Sequence, residues 1–272
     1  MIFICPKCKG ALNERGGSAV CECGHSFDRA KEGYYNLLLS MSAGNHGDSR
    51  EMVESRRSFL SLGHYAPLAE AVADFADKYM KSGTVLVDQG CGEGYYTEIV
   101  ARRLNCGEGG RRVAGFDISK DATRRAAKRV RGADFAVASA YHTPLADGSV
   151  DGFMNVFSPL ALEETLRALA QGGILIMAIP ERRHLYSLKA CVYDEPYENE
   201  PEDFMLEGLS LIDEKELSYT FKLASNTEIK SLFNMTPYSQ RTSERDREKL
   251  ERISSLDVDA HFRVLVYRKN RR

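Results

Sequence analysis

The chain has 272 residues, 43% of them hydrophobic and 28% charged, with 37 Lys and Arg against 39 Asp and Glu. That composition supports a sizeable core and excludes both a disordered tail and a uniformly basic nucleic-acid coat. The longest uninterrupted apolar run, ILIMAIP at 174–180, is far short of the roughly 20 residues of a membrane-spanning helix, and no charged-then-apolar leader opens the sequence, so a soluble, cytoplasmic protein without a membrane partner is expected.

The first segment, residues 1–36, carries four of the seven cysteines, Cys5, Cys8, Cys21 and Cys23. A piece this short buries too little to stand alone, and a metal is the usual staple. Cys5-x-x-Cys8 followed by Cys21-x-Cys23-x-His25 presents two knuckles of thiolate and imidazole donors that can close a tetrahedral zinc site. There are five donors for four positions. Cys21 with His25, or Cys21 with Cys23, would complete the set, and spacing alone does not choose. No open coordination position is implied, so the zinc reads as structural. Residues 37–58 lose apolar periodicity and gather Ser, Gly, Asn and Asp, as a linker does.

From residue 59 to 272 helices and strands alternate. A helix is expected from about Pro67 to Met80, with Leu68, Val72, Phe75 and Tyr79 on one face. Strands follow at 84–88, 112–117, 134–138 and 150–157, with helices to about Leu104 and from Lys120 to Val130 between them. This alternation predicts an α/β fold around a parallel sheet. The helix EETLRALA is expected to stop at Gly172 and Gly173 before a strand, ILIMAI. A helical stretch near His184, an acidic loop (DEPYENEPED), strands YTFKL and FRVLVY and a charged helix around 243–253 complete the chain.

VLVDQGCGEGYYT, residues 85–97, is a strand ending in Asp88 that runs into Gly90, Gly92 and Gly94. Glycines there let the backbone approach a ligand at the carboxyl end of the strand. A dinucleotide fingerprint would need its third glycine at position 95, which is Tyr. The spacing resembles instead the first motif of class I S-adenosylmethionine-dependent methyltransferases. Asp117 ends the next strand, where a carboxylate can accept both ribose hydroxyls of that cofactor; the plainer reading is an Asp that caps the following helix.

Taken in order, CPKC, SFDRAKEGYYNLL, SRRSFLSLGHYAPL, VLVDQGCGEGYYT, GFDISKDA, VASAYHTPLADGSVD, RRHLYSLKACVY and MTPY resemble the 23S ribosomal RNA (guanine-N1)-methyltransferase family over nearly the whole chain. The resemblance implies a zinc-ribbon RNA-recognition domain before a class I, Rossmann-like methyltransferase domain with a mixed seven-stranded sheet. It also implies methylation of guanine N1 in a hairpin of 23S ribosomal RNA, with a homodimer compatible with that reading. The implied zinc ligands are Cys5, Cys8, Cys21 and His25, with Cys23 as the alternative fourth. Tyr65, Gly92, Glu93 and His184 are the implied cofactor contacts, joined by Asp88, Gly90, Gly94, Asp117 and, from the third strand, Ser139 and Ala140. One departure is Gln240, which stands where the family carries a Trp after MTP.

No residue announces itself as the base that takes the N1 proton. Asn155, in NVFSP, lies where class I enzymes place substrate contacts, and is equally a turn residue before Pro159. Six basic residues between Lys120 and Arg131 read as a solvated helix face. Lys7, Lys9, Arg15, Arg29 and Lys31 beside Phe27, Tyr34 and Tyr35 read better as RNA contacts and stacking surfaces. Other readings are a small-molecule or other RNA methyltransferase with a structural zinc ribbon, and a non-enzymatic zinc-ribbon binding protein.

Overall fold

The computed structural model describes residues 1–39, 47–81, 83–105, 110–200 and 204–271. The Cys-rich segment forms a three-stranded antiparallel sheet, β1 (Asn13–Arg15), β2 (Ser18–Val20) and β3 (Ser26–Asp28). Three-residue strands bury little by themselves, and here they lean on the rest of the chain. Phe3, Leu12 and Ala19 share a buried cluster with Val87 and Phe116. The Ile4 amide donates to the Pro144 carbonyl at 2.8 Å.

The next strand, β4 (Tyr34–Asn36), leaves the small sheet. There follow α1 (Arg50–Ser61), α2 (Ala66–Tyr79), β5 (Val85–Gln89), α3 (Tyr95–Arg103), β6 (Arg112–Asp117), α4 (Lys120–Arg129), β7 (Asp134–Val137), β8 (Val150–Val156), α5 (Leu162–Ala168) and β9 (Leu169–Pro180). The chain ends with α6 (Tyr186–Val192), β10 (Leu209–Leu223), α7 (Asn226–Asn234), α8 (Glu244–Leu250) and β11 (Leu256–Lys269). The main sheet runs β10-β11-β9-β8-β5-β6-β7-β4. Strands from β9 to β4 are parallel, while β11 is antiparallel to β9 and β10 to β11. Seven of these strands make the mixed sheet expected from the sequence, and β4 adds an eighth at its edge, with Tyr34, Tyr35 and Asn36 in register with Phe135, Ala136 and Val137.

That eighth strand corrects one reading: Tyr34 and Tyr35 are buried in the sheet and offer no stacking surface to RNA. The linker reading of 37–58 is corrected as well. Residues 40–46 lie outside the described residues, but Arg50–Ser61 is helix, started by Ser49, whose side chain accepts the Met52 amide at 3.2 Å. Met52, Val53, Phe59 and Leu60 are its buried face, and α1 packs against α7. The glycine stop also fails. Leu169 is already extended and buried, pairing with Val150, and Gly172 and Gly173 lie inside β9 where the register to β8 shifts. Pairing with a central strand overrides the helical stop signal there.

α2, α6 and α7 pack into one buried cluster with the sheet, through Leu68, Val72, Leu188, Ile229 and Leu232. The N-terminal ribbon and residues near α5 cover the other face. β5 sits between β6 and β8, so connections leave in opposite directions at its carboxyl end and open a crevice there.

Candidate active site and metal centre

β5, β6 and β8 end at a pocket of about 360 Å³, in the size range of a small-molecule site. The glycine loop forms its floor. Gly90 has φ 76°, and a Cβ there would lie 2.1 Å from Ser158 Oγ, so only glycine lets the loop pass under the turn after β8. Gly94, at φ 85°, lies against the α4 backbone at Ala126. Gly92 faces open space, as a loop built to approach a ligand would.

Asp117 ends β6 on the pocket wall. One carboxylate oxygen accepts the Ser119 amide at 2.8 Å and the other accepts the Gly92 amide at 3.0 Å. It therefore ties the helix start to the glycine loop, and each oxygen retains a lone pair for a further donor. Burial raises its pKa, and the two backbone amides oppose that. The capping of α4 itself falls to Ser119, whose side chain accepts the Ala122 amide at 3.4 Å. Phe116, Ile118, Ala138 and Val156 make apolar wall around it, with Ser139 and Ala140 at the end of β7.

The expected cofactor set divides on inspection. Tyr65, Gly90, Gly92, Glu93, Asp117, Ser139 and Ala140 line the pocket; Asp88, Gly94 and His184 are not on its walls, and neither is Asn155. Asp88 is buried beneath the loop, accepting the Thr97 hydroxyl, and burial pushes its carboxyl up to about 7. Glu93 pairs with Arg129 of α4, which also reaches Glu98 at 3.3 Å. His184 stands behind Tyr65: its Nε2 is 3.3 Å from Tyr65 Oη, and its Nδ1 accepts the His261 amide at 3.3 Å. Asn155 is buried at the end of β8, and its amide nitrogen has no partner among the described residues.

Several wall residues escaped the sequence reading. Asp48 and Arg56 form an ion pair across the rim. Tyr95, Tyr96, Phe157, Ser158 and Met235 are also on the wall. The YY after the glycine loop and the FS before Pro159 were the available signals. Gln240 is not on the wall and touches Met52 of α1.

The metal site is better determined by geometry than by spacing. One donor atom each from Cys5, Cys8, Cys21 and His25 lies within 4.8 Å of all the others. His25 Nδ1 is 3.4 Å from both Cys5 Sγ and Cys21 Sγ, and Cys8 Sγ is 3.5 Å from Cys21 Sγ. Such separations are close to the edges of a tetrahedron around zinc with Zn–S near 2.3 Å. Cys23 is exposed and outside the cluster, so the alternative fourth ligand is set aside.

Most of the basic helix is tied up in ion pairs: Arg124 and Arg125 meet Asp121, Arg125 also meets Glu54, Lys128 meets Glu32 and Arg129 meets Glu93. α4 is thus fastened to α1, to the ribbon and to the glycine loop.

A glycine loop and a carboxylate at the ends of adjacent parallel strands, on this sheet order, define a class I methyltransferase that carries a zinc ribbon. Residues 3–39 match the family described as RlmA, N-terminal, a zinc ribbon, and residues 87–177 match a methyltransferase domain. The 23S rRNA (guanine(748)-N(1))-methyltransferase of Streptomyces fradiae is 37% identical over 187 residues, 68% of this chain and 65% of that protein. The matched stretch thus spans just under two thirds of the Streptomyces protein. YxjB of Bacillus subtilis (strain 168), assigned as a 23S rRNA (guanine-N(1)-)-methyltransferase, is 30% identical over 200 residues, 71% of this chain and 70% of that one. A solved structure assigned as a methyltransferase, from Bacillus halodurans C-125, matches 74% of this chain and 99% of its own at a TM-score of 0.50 and 14% identity, which speaks to the fold alone. The chain belongs to the 23S rRNA (guanine-N1)-methyltransferase family, and its cofactors are S-adenosylmethionine and zinc.

Proposed function

We propose that this chain methylates N1 of a guanine in a hairpin of 23S ribosomal RNA, in the cytoplasm. The observation that carries the reading is the pocket formed by the Gly90–Gly94 loop and Asp117 on a chain whose N-terminus gathers four zinc donors. Bound in that pocket, S-adenosylmethionine supplies a methyl group on a sulfonium, with a good leaving group already in place.

The chain's own residues then have to position and shield. Asp117 would accept the ribose hydroxyls, held in place by the Gly92 and Ser119 amides. Gly92 and the apolar wall would let the ligand approach the backbone and exclude water. In-line transfer needs the nucleophile at near-attack distance, which is a matter of orienting the base. Guanine N1 carries a proton at neutral pH, and its removal needs an acceptor or a water chain. His184 is a poor acceptor: it is buried and held neutral, with its pKa lowered to about 3 by burial and by the nearby Lys189 charge. Glu93 is occupied by Arg129. Asn155 is a candidate hydrogen-bonding group for the base edge, and the proton acceptor stays unassigned.

Residues 1–36 are read as the RNA-recognition module, residues 59–272 as the methyl-transfer domain. Lys7, Lys9, Arg15 and Lys31 are exposed on the ribbon. Between ribbon and α4 runs a groove lined by Arg29, Lys31, Lys128 and Arg131 with Glu14 and Glu32 among them, where Arg29 pairs with Glu14 and Lys128 with Glu32, so only its net positive balance favours a phosphate backbone. A homodimer belongs to the same reading and is tested by sedimentation. The deciding experiment is methylation of 23S RNA stripped of modifications, with primer-extension mapping of the product. A single stop at one guanine is expected. Methyl incorporation that is independent of RNA would point to a small-molecule substrate.

A further inference from the structure

Residues 157–159 make a turn just past the carboxyl end of β8 that packing alone does not explain. Phe157 has φ 56°, a left-handed backbone conformation that an aromatic residue rarely adopts. Its amide donates to the Ala178 carbonyl at 3.3 Å, and the next residue, Ser158, lies against Gly90 of the glycine loop. The turn is therefore clamped to the cofactor floor. Strain of this kind persists where the surrounding structure holds it, and it gathers at functional sites.

The strained conformation puts a large apolar ring where water can reach it. Phe157 is 43% exposed, whereas its ring neighbours Tyr65, Phe262 and His184 are 2%, 0% and 8% exposed. Phe157 and His184 are stacked at an interplanar angle of 12° with centroids 6.4 Å apart. Tyr96 meets Phe157 edge-on, at 74° and 6.4 Å. One side of the ring is thus backed by fixed aromatic groups, and the residue lines the pocket. Burying Phe157 in the adjacent aromatic cluster would satisfy the hydrophobic effect; holding it out at the rim serves a planar ligand. Tyr141, the other exposed ring on the wall, follows β7 beside Ser139 and Ala140, where the cofactor's own base is expected.

We infer that Phe157 is the platform on which the target guanine stacks, presenting the Watson–Crick edge of the extruded base to the cofactor pocket. This rests on the RNA guanine reading above. Base–aromatic stacking tolerates any base, so Phe157 would contribute affinity and orientation, and the choice of guanine would be made by hydrogen bonds to the base edge.

The test compares the full-length wild type with Phe157→Ala, Phe157→Tyr and Phe157→Gly, using unmodified 23S RNA and measuring S-adenosylmethionine affinity separately by calorimetry. Phe157→Ala should raise the KM for RNA at least tenfold while cofactor affinity falls by a clearly smaller factor, and Phe157→Tyr should restore the KM. Phe157→Gly, which relaxes the left-handed backbone, should melt no lower than Phe157→Ala and be as poor on RNA. RNA methylation by Phe157→Ala with kcat and KM within threefold of wild type would overturn the inference while leaving the guanine reading intact. If the wild type itself fails to methylate RNA, the guanine reading fails and this inference falls with it.

Discussion

His184 Nε2 lies 3.3 Å from Tyr65 Oη while His184 Nδ1 accepts the His261 backbone amide. An Nδ1 that accepts has no proton, so the neutral ring carries its hydrogen on Nε2 and donates it to Tyr65. The Tyr65 hydroxyl, its oxygen engaged, is left to donate its own proton, and Tyr65 is on the pocket wall. The resemblance puts both residues in contact with cofactor; the structure has one lining the pocket and the other orienting it from behind.

His184→Phe should therefore weaken S-adenosylmethionine binding by about 0.5 to 1.5 kcal/mol, the worth of one positioned hydrogen bond. It should also alter acid stability. The folded pKa of about 3 lies below the ordinary 6.5, so the wild type holds this contribution above pH 6.5 and loses it as pH falls toward 3, at up to about 1.4 kcal/mol per pH unit. Denaturant titrations from pH 7 to 4 should show a shallower loss in the variant. An equal slope would mean that His184 is protonated in the folded protein.

Asp88 behaves with the opposite sign. Its folded pKa of about 7 exceeds the ordinary 3.8 because burial disfavours the charge, so its contribution is fully present below pH 3.8 and lost as pH rises through 7. Asp88→Asn keeps an acceptor for the Thr97 hydroxyl and removes that charge. Its stability relative to wild type should rise between pH 4 and 7 and level off above. A variant that becomes relatively less stable over this range would show that the carboxylate is stabilised as an anion.

On the proposed reading, Asp117→Ala removes a charge-assisted acceptor for the cofactor, and it also removes the tie between the Gly92 and Ser119 amides. A loss of roughly 1.5 to 3 kcal/mol in S-adenosylmethionine affinity is expected. Asp117→Asn should recover only part of it, because one acceptor oxygen is kept while the other is replaced by an NH2 donor that cannot accept the backbone amide facing it. Calorimetry giving unchanged affinity for Asp117→Ala would reduce the carboxylate to a loop fastener.

One zinc per chain is expected by elemental analysis. Cys8→Ala should lose the metal and disturb more than the ribbon, because Cys5, Leu12 and Ala19 share a core with Val87 and Phe116 and β4 pairs with β7. A lowered melting point of the whole protein is the expected result, and a variant that melts as wild type while lacking zinc would show the ribbon to be energetically separate. For the same reason, RNA recognition by the ribbon is better probed by Lys7→Gln, Lys9→Gln and Lys31→Gln together than by truncation. RNA affinity should fall and depend less steeply on salt.

Much of this site was legible in the sequence because glycine, cysteine and terminal carboxylates act through local backbone geometry. Gly90, Gly92 and Gly94 take positive φ values in the loop after β5, as their spacing suggests, and β6 begins and ends where RVAGFD does. The donors of the ribbon were identified by type, and the family resemblance preferred His25 to Cys23, but spacing left the two open because which side chain turns inward is decided by the fold. Helix α1 was hidden by its polar composition, since its four buried residues answer to α7 and the sheet, which lie far away in sequence.

The sequence by itself determined the two chemistries, a closed set of soft donors and a glycine loop followed by a carboxylate, because both depend on residue identity at short spacing. Tertiary structure alone decided which expected residues reach the pocket. Asp88 and His184 end up one layer behind the wall, Phe157 ends up exposed at it, and Tyr34 and Tyr35, expected on the ribbon surface, are buried in the sheet. The physical reason is that burial and facing are set by contacts between strands and helices far apart in the chain, a long-range property that local pattern does not encode.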